Sequence, residues 1–545
     1  MTTAILVLAL LLAVVVSGIL ARILPVGIPR PLVQIAFGAA IGLVAHFRVA
    51  LDPELFFLLF LPPLLFLDGW RIPNDELLDD GRTIAGLALG LVAFTVLGAG
   101  LLIHAMIPAM PLAVAFALAA VISPTDPIAV SGIAARVPVP NRMMRILEGE
   151  SLLNDASGLV CLRFAVAAAL TGVFSPVDAG VTFLWLAIGG VGIGVAIAWG
   201  IDRAQTWASA QIGEDTGILT IASLLTPFAA YLAAEELHCS GILAAVAAGV
   251  ALSAAETSGR SLAATRLRRR AVWDTVQFAL NGIIFVLLGE QLPEILSDSV
   301  ATVAVTGHRS PWWLAVYVLG ITLALGLLRF LWVWVTLRVT LRYTRRWRRS
   351  TTRPNRRLIA AFSVAGVRGA VTLAGALTLP LTLGDGSPFP ARSLAIFLAA
   401  GVIIASLLAA SAALPLLLRG IEMPPESPRQ AEADRARVAS AEAAITAVKR
   451  AIAAVPPRSE DAAVSLSAAT QVLEFYRAQI ELRTGDEAGA AGSSQTRRVT
   501  RELRLIAIQA ERDEIFRLIR ERKVSSGAGE KLVRELDLRD AWLRT

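Results

Sequence analysis

Apolar stretches long enough to cross a lipid bilayer recur from the first residues of this chain to about residue 419. A helix rises 1.5 Å per residue, so a hydrocarbon layer about 30 Å thick calls for roughly 20 residues. About thirteen such stretches can be read: residues 4–22, 31–46, 52–69, 83–107, 112–134, 143–171, 181–202, 216–236, 240–256, 271–290, 312–341, 356–380 and 391–419. This pattern predicts an all-α polytopic membrane protein. Composition agrees, since 56% of the 545 residues are hydrophobic and 17% charged, against about 25% charged in ordinary soluble chains. The first stretch has almost no basic lead-in and no A-x-A-like cleavage site, so it is expected to be retained as a span.

Arginine sets the orientation. With the N-terminus outside, the inner loops hold Arg22, Arg30, Arg71, Arg82, Arg136, Arg142, Arg145, Arg203, Arg260, Arg266, Arg268, Arg269, Arg270 and the run RYTRRWRRSTTRPNRR at 342–357. The outer loops hold Arg48, Arg309 and Arg392. This is the positive-inside asymmetry, and it predicts an odd number of spans with a cytoplasmic C-terminus. The net charge of +7 then reports topology and contact with anionic lipid, with no nucleic-acid partner required. Cys161 and Cys239 give no disulfide framework or metal spacing. His46, His104, His238 and His308 all fall on the outer side, which argues against a cytoplasmic histidine pH sensor.

After Pro424–Pro425 the sequence changes to charged, helix-periodic segments such as AEADRARVASAEAAITAVKRAIAAV, with a flexible linker by composition at 484–495. Residues 1–423 are therefore read as a membrane domain and 424–545 as a cytoplasmic helical tail. Two spans are interrupted near their middles. The fifth contains SPTDPIAVSG (123–132) and the twelfth AGVRGAVTLAG (365–375). Proline removes a backbone donor and glycine relaxes the helix, so both should unwind near the midplane. Seven spans apart, they cross in opposite senses, which predicts two inverted halves (spans 1–6 and 8–13). Broken helices in corresponding places of such halves point to a transporter's binding site.

The sixth span carries EGESLLNDASGLV (148–160). Ionisable groups cost several kcal/mol at the middle of a bilayer, and a chain that keeps them there normally uses them. Counted from the cytoplasmic side, Asp155 is about 15 Å deep and Glu150 about 8 Å. A desolvated carboxylate at the depth of Asp155 can be neutralised by a proton or by a small cation, and these exclude each other. Oxygens of Ser151 and Asn154, with carbonyls freed at the break, are ligands that an alkali cation accepts; Asp155, Ser151 and Thr125 form the candidate cation-ligand set. The plainer role for Asp155 is a carboxylate that only fixes helix packing. Glu150 lies at the depth of Arg329 in the eleventh span, which favours a structural ion pair. Asp126 and Arg368 stand on the two interrupted spans, where they would neutralise facing half-helix ends; direct ligation by Asp126 is the alternative. Asp68, in LPPLLFLDGW, either attracts cations into a cytoplasmic funnel or is a solvated interfacial carboxylate.

With GESLLNDASG, SPTDP, LPPLLFLDGW and GVRGAVTLAGAL in this order, the chain resembles the monovalent cation:proton antiporter-1 family, the sodium/proton exchangers, over nearly all of residues 1–419. Its length and charged tail are similar to the bacterial branch often called the YjcE type. The resemblance implies Na+/H+ exchange by alternating access, with Li+ or K+ as other candidate cations, in the bacterial inner membrane, without a cofactor and by a homodimer. It implies dimerisation helices at about 1–82 and 216–290, core helices at about 83–171 and 312–419, and a linker helix at 181–202. In the family, an Asn-Asp pair, here Asn154 and Asp155, marks electroneutral members, with the aspartate binding ion or proton. Residues matching Ser151, Thr125 and Asp68 are linked to the ion site in some members, and a glutamate matching Glu150 pairs with an arginine placed here at Arg329. Prokaryotic relatives often carry glutamate where Asp68 aligns.

A K+/H+ exchanger on the same scaffold is the nearest rival. A channel would need a continuous pore and filter. An intramembrane hydrolase would need a zinc motif, a nucleophile elbow or a histidine beside a buried serine, none of which the sequence contains.

Overall fold

The computed structural model describes residues 2–24, 28–45, 53–71, 81, 84, 86–127, 130, 139, 141–171, 176–256, 263–305, 310, 312–345, 356–383, 386–419, 427–453, 468–477, 480, 503–518, 521, 532–533, 535–536 and 539–540. Arg48, Arg82, Arg136, Arg260, Arg309, His46, His308, Pro424, Pro425, residues 346–355 of the arginine run, the linker at 484–495 and most of 128–138 lie outside them. The chain divides into two compact units, Met1–Ile421 and Glu422–Thr545.

Among its described residues the first unit is built of helices, with one isolated β-bridge between Thr382 and Pro388. In chain order it has α1 (Thr2–Ile23), α2 (Arg30–Ala45), α3 (Pro53–Arg71), a π-helical turn (Gly86–Leu91) leading into α4 (Val92–Met106), α5 (Leu112–Ile122), α6 (Asn141–Thr171), α7 (Pro176–Ile212), α8 (Thr216–Glu236), α9 (Gly241–Glu256), α10 (Ala263–Val305), α11 (Trp312–Arg345), α12 (Arg356–Val364), α13 (Ala370–Leu377) and α14 (Arg392–Leu418). Among the described residues, seven segments are long and apolar enough to cross a membrane, including Ile146–Thr171, Thr265–Ser297 and Arg392–Leu418. Several helices outrun the apolar windows in the sequence: α10 spans 43 residues and α7 spans 37. Hydropathy marks the lipid-facing length, and helix ends continue past it. Large apolar side chains on α7, such as Trp185, Ile188 and Trp199, face outward, as a lipid-facing helix requires.

Small residues set the closest helix contacts. A methyl group on Gly38 of α2 would overlap the Val286 carbonyl of α10, and one on Gly249 of α9 would overlap the Phe66 carbonyl of α3. Lipid tails are as apolar as the helices, so association there relies on such close packing. Elsewhere α4, α5, α6, α11, α12 and α14 share one buried core.

Both interrupted spans are broken. Helix α5 stops at Ile122 and helical structure resumes at Pro127; α12 stops at Val364 and α13 starts at Ala370. The extended pieces touch, the Asp126 amide donating to the Val367 carbonyl at 2.7 Å.

The second unit contains α15 (Ser427–Ala453) and further helical segments at 468–477 and 503–518. Arg517 there pairs with Glu514 and Glu521, one turn away on either side.

Candidate functional site

The break in α5 leaves terminal carbonyls that its own helix cannot satisfy. Arg368, in the other break, reaches one of them, its Nε donating to the Ile122 carbonyl at 2.8 Å, while its Nη1 donates to the Gly366 carbonyl of its own break. Its backbone amide donates to Ser406 Oγ of α14 at 3.2 Å. A cation thus sits at the negative end of α5. Asp126 has the complementary place, its carboxylate against Gly369, the residue that precedes α13. Any Cβ at 369 would overlap that carboxylate, so the approach demands glycine.

Helix α6 brings four polar residues to this crossing. Glu150, 1% exposed, forms a two-pronged ion pair with Arg329 of α11, 2% exposed, at 2.5 Å (Nη1–Oε1) and 2.7 Å (Nη2–Oε2). Planar guanidinium and carboxylate suit this geometry. Arg329 also donates from Nε to the Phe362 carbonyl at 3.3 Å, and its guanidinium lies over the Phe362 ring at 5.2 Å. The network continues into the break: Thr125 Oγ1 donates to Glu150 Oε1 at 3.3 Å and accepts from Asn154 Nδ2 at 2.9 Å. Asn154 Oδ1 is buried without a partner among the described residues.

Asp155 and Ser151, one turn apart on the next face of α6, are buried, yet their side chains make no hydrogen bond to another described residue. With Asp68 of α3 they line a small cavity, whose wall includes Leu64, Pro124, Thr125, Asp126, Asn281 of α10, and Gly369 with the first residues of α13. Of the residues singled out in the sequence, Asp68, Thr125, Asp126, Ser151 and Asp155 meet at this cavity. Asn154, Glu150, Arg329 and Arg368 lie behind its wall. The Thr125 hydroxyl is engaged in joining Asn154 to Glu150, a link that spacing does not reveal.

Two polar residues of the wall, Asn281 and Thr372, have no assigned role in the sequence reading. The available signal was an amide inside the apolar run FALNGIIFVLLG, and a threonine inside the GVRGAVTLAG motif itself. Every polar group at the cavity is an oxygen donor or an amide. Such a set accepts a proton or a hard cation and offers no thiolate or imidazole for a softer metal. Among the described residues no group of three or more His, Cys, Asp or Glu side chains is placed to hold a metal ion, so the three aspartates do not converge on one coordination sphere in this conformation.

Residues 7–420 match the family described as sodium/hydrogen exchanger, transmembrane. The chain is 41% identical, over 98% of its own length and 98% of the relative's, to a protein of Escherichia coli (strain K12) named Uncharacterized Na(+)/H(+) exchanger YjcE. It is 45% identical over 75% of its length to the sodium, potassium, lithium and rubidium/H(+) antiporter of Bacillus pumilus, spanning 60% of that protein. Among solved structures, the fold is similar to that of the sodium proton antiporter MjNhaP1 from Methanocaldococcus jannaschii, with a TM-score of 0.60 at 19% identity, covering 77% of this chain and 99% of that one. On the length of the family match and the full-length relative, this chain belongs to the sodium/hydrogen exchanger family of membrane antiporters.

Proposed function

We propose that this membrane protein exchanges Na+ for H+ across the bacterial inner membrane by alternating access, with Asp155 binding either the cation or the proton. The observation that carries the reading is the contrast on α6. Glu150 is neutralised by Arg329, whereas Asp155 meets the cavity with no hydrogen bond to a described neighbour. Ser151 and Thr125 would supply further oxygens to Na+, Asp68 would draw cations toward the cavity, and Asn154, Glu150, Arg329, Asp126 and Arg368 would hold the crossing in shape. A homodimer with its N-terminus outside and C-terminus in the cytoplasm completes the reading; it rests on the arginine asymmetry and the family resemblance.

The antiporter name of the Bacillus pumilus relative favours a second reading, in which K+, Li+ and Rb+ are also carried. One experiment tests both. Purified protein in liposomes, given an outward proton gradient, should move protons when Na+, Li+, K+ or Rb+ is added. Proton movement with Na+ supports the first reading, comparable movement with K+ or Rb+ the second, and none with any of the four overturns exchange.

A further inference from the structure

One face of α10 carries Asp274, Gln277 and Asn281 at i, i+3 and i+7, positions that stack along a helix. The near end of this stripe is tied to α3: Arg71 pairs with Asp274 and donates to Gln277 Oε1 at 2.5 Å. From there the two helices stay in step. Asp68 stands one turn from Arg71 on α3, and Asn281 one turn beyond Gln277 on α10, and both line the cavity that holds Asp155.

Asn281 is half-buried and its side chain makes no hydrogen bond to another described residue, in a run otherwise built of apolar side chains. An amide at that depth is costly without a partner. Its Oδ1 is a neutral oxygen donor of the kind an alkali cation accepts. Asp155 and Ser151 approach the cavity from α6, and Asn281 approaches from a different wall.

We propose that Asn281 is a specificity-determining residue whose amide oxygen ligates the cation bound at Asp155. The inference rests on the exchange reading above and adds a ligand from α10 to it. Being neutral, Asn281 assists the cation but has no charge with which to hold the proton. It therefore biases the competition at Asp155 toward the cation, and it does so most for the ion whose size matches the gap between the two walls.

The test uses full-length protein, purified and reconstituted, with Asn281→Ala and Asn281→Ser beside the wild type. Losing one oxygen ligand should raise the Na+ Michaelis constant of Asn281→Ala about tenfold and change the Na+ to K+ preference, with the maximal rate and melting temperature little altered. Serine keeps a shorter-reaching oxygen and should give an intermediate shift; it is the variant to read if alanine does not fold. Unchanged Michaelis constant and preference in both variants would overturn the proposal. So would a lowered melting temperature and rate at unchanged Michaelis constant, the mark of a packing residue. Stabilisation of the detergent-solubilised proteins by Na+ reads binding without transport. If the wild type binds Na+ but moves no protons, exchange fails while a weaker Na+ response in Asn281→Ala still supports ligation, and an equal response refutes it.

Discussion

Asp155 and Glu150 lie five positions apart on one helix in opposite circumstances, and the difference fixes what each can do. Glu150 has its charge matched by a guanidinium and a threonine hydroxyl, so binding a cation there would first require breaking that pair. Asp155 has no such partner among the described residues and opens on a cavity. Asp155→Asn keeps the shape and the hydrogen-bonding capacity but removes the titrating charge. It should abolish cation/proton exchange in liposomes while leaving the melting temperature of the purified protein within a few degrees of wild type. Exchange at a normal rate in that variant would remove Asp155 from the centre of the mechanism. Competition at one carboxylate also has a signed pH dependence. Protons occupy the site the cation needs, so apparent cation affinity must weaken as pH falls. In the range where the free site is mostly protonated, the Michaelis constant should approach a tenfold rise for each unit of pH lost, by reciprocal linkage. A Michaelis constant that stays level across that range would argue against shared occupancy.

Between elements, the Glu150–Arg329 pair fastens α6 to α11 and, through Phe362, to α12 beside the second break. Removing one partner of a buried pair strands a charge and typically costs about 3–5 kcal/mol. Glu150→Gln and Arg329→Leu should each lower the melting temperature and activity together, and the double variant should recover much of the lost stability. If the double variant is folded but binds cations more than about tenfold less tightly, Glu150 is a ligand and its role is misassigned here. The existence of this pair was legible in the sequence because depth can be counted along two apolar spans. The two breaks were legible because proline and glycine act on their own backbone. That Asn281 and Asp155 line one cavity was not legible: it depends on how α10 is rotated against α3, a packing outcome that the spacing of Asp274, Gln277 and Asn281 along one helix does not reveal. The same holds for Thr125, whose partners on α6 follow from the crossing of the breaks and from nothing in SPTDP itself. Apolar windows likewise marked where α7 and α10 meet lipid, and the continuations of these helices, governed by helix propensity and capping, fell outside them.

For the molecule as a transporter, the charge bookkeeping around the cavity decides the stoichiometry. Glu150 and Arg329 cancel, Asp126 and Arg368 put opposite charges at the crossing, and Asn154 cannot carry a proton. On the exchange reading proposed above, Asp155 is the group whose charge changes in the cycle. Loaded with Na+ or with H+, the site then has the same net charge, so one cation should exchange for one proton with no charge moved across the membrane. Asp68 also lines the cavity, and a proton carried there in addition would break this balance, so the stoichiometry tests the role of Asp68 as well. In proteoliposomes whose potential is clamped with K+ and valinomycin, with Na+ as the test ion, net flux should vanish when the Na+ ratio equals the proton ratio, whatever the voltage. A cycle moving one net charge would shift that balance by about 2.3 kcal/mol per 100 mV, close to fiftyfold in the ratio. A null point that follows the voltage by this amount would show a second titrating group in the cycle, and Asp68→Asn would then be expected to return it to the voltage-independent position.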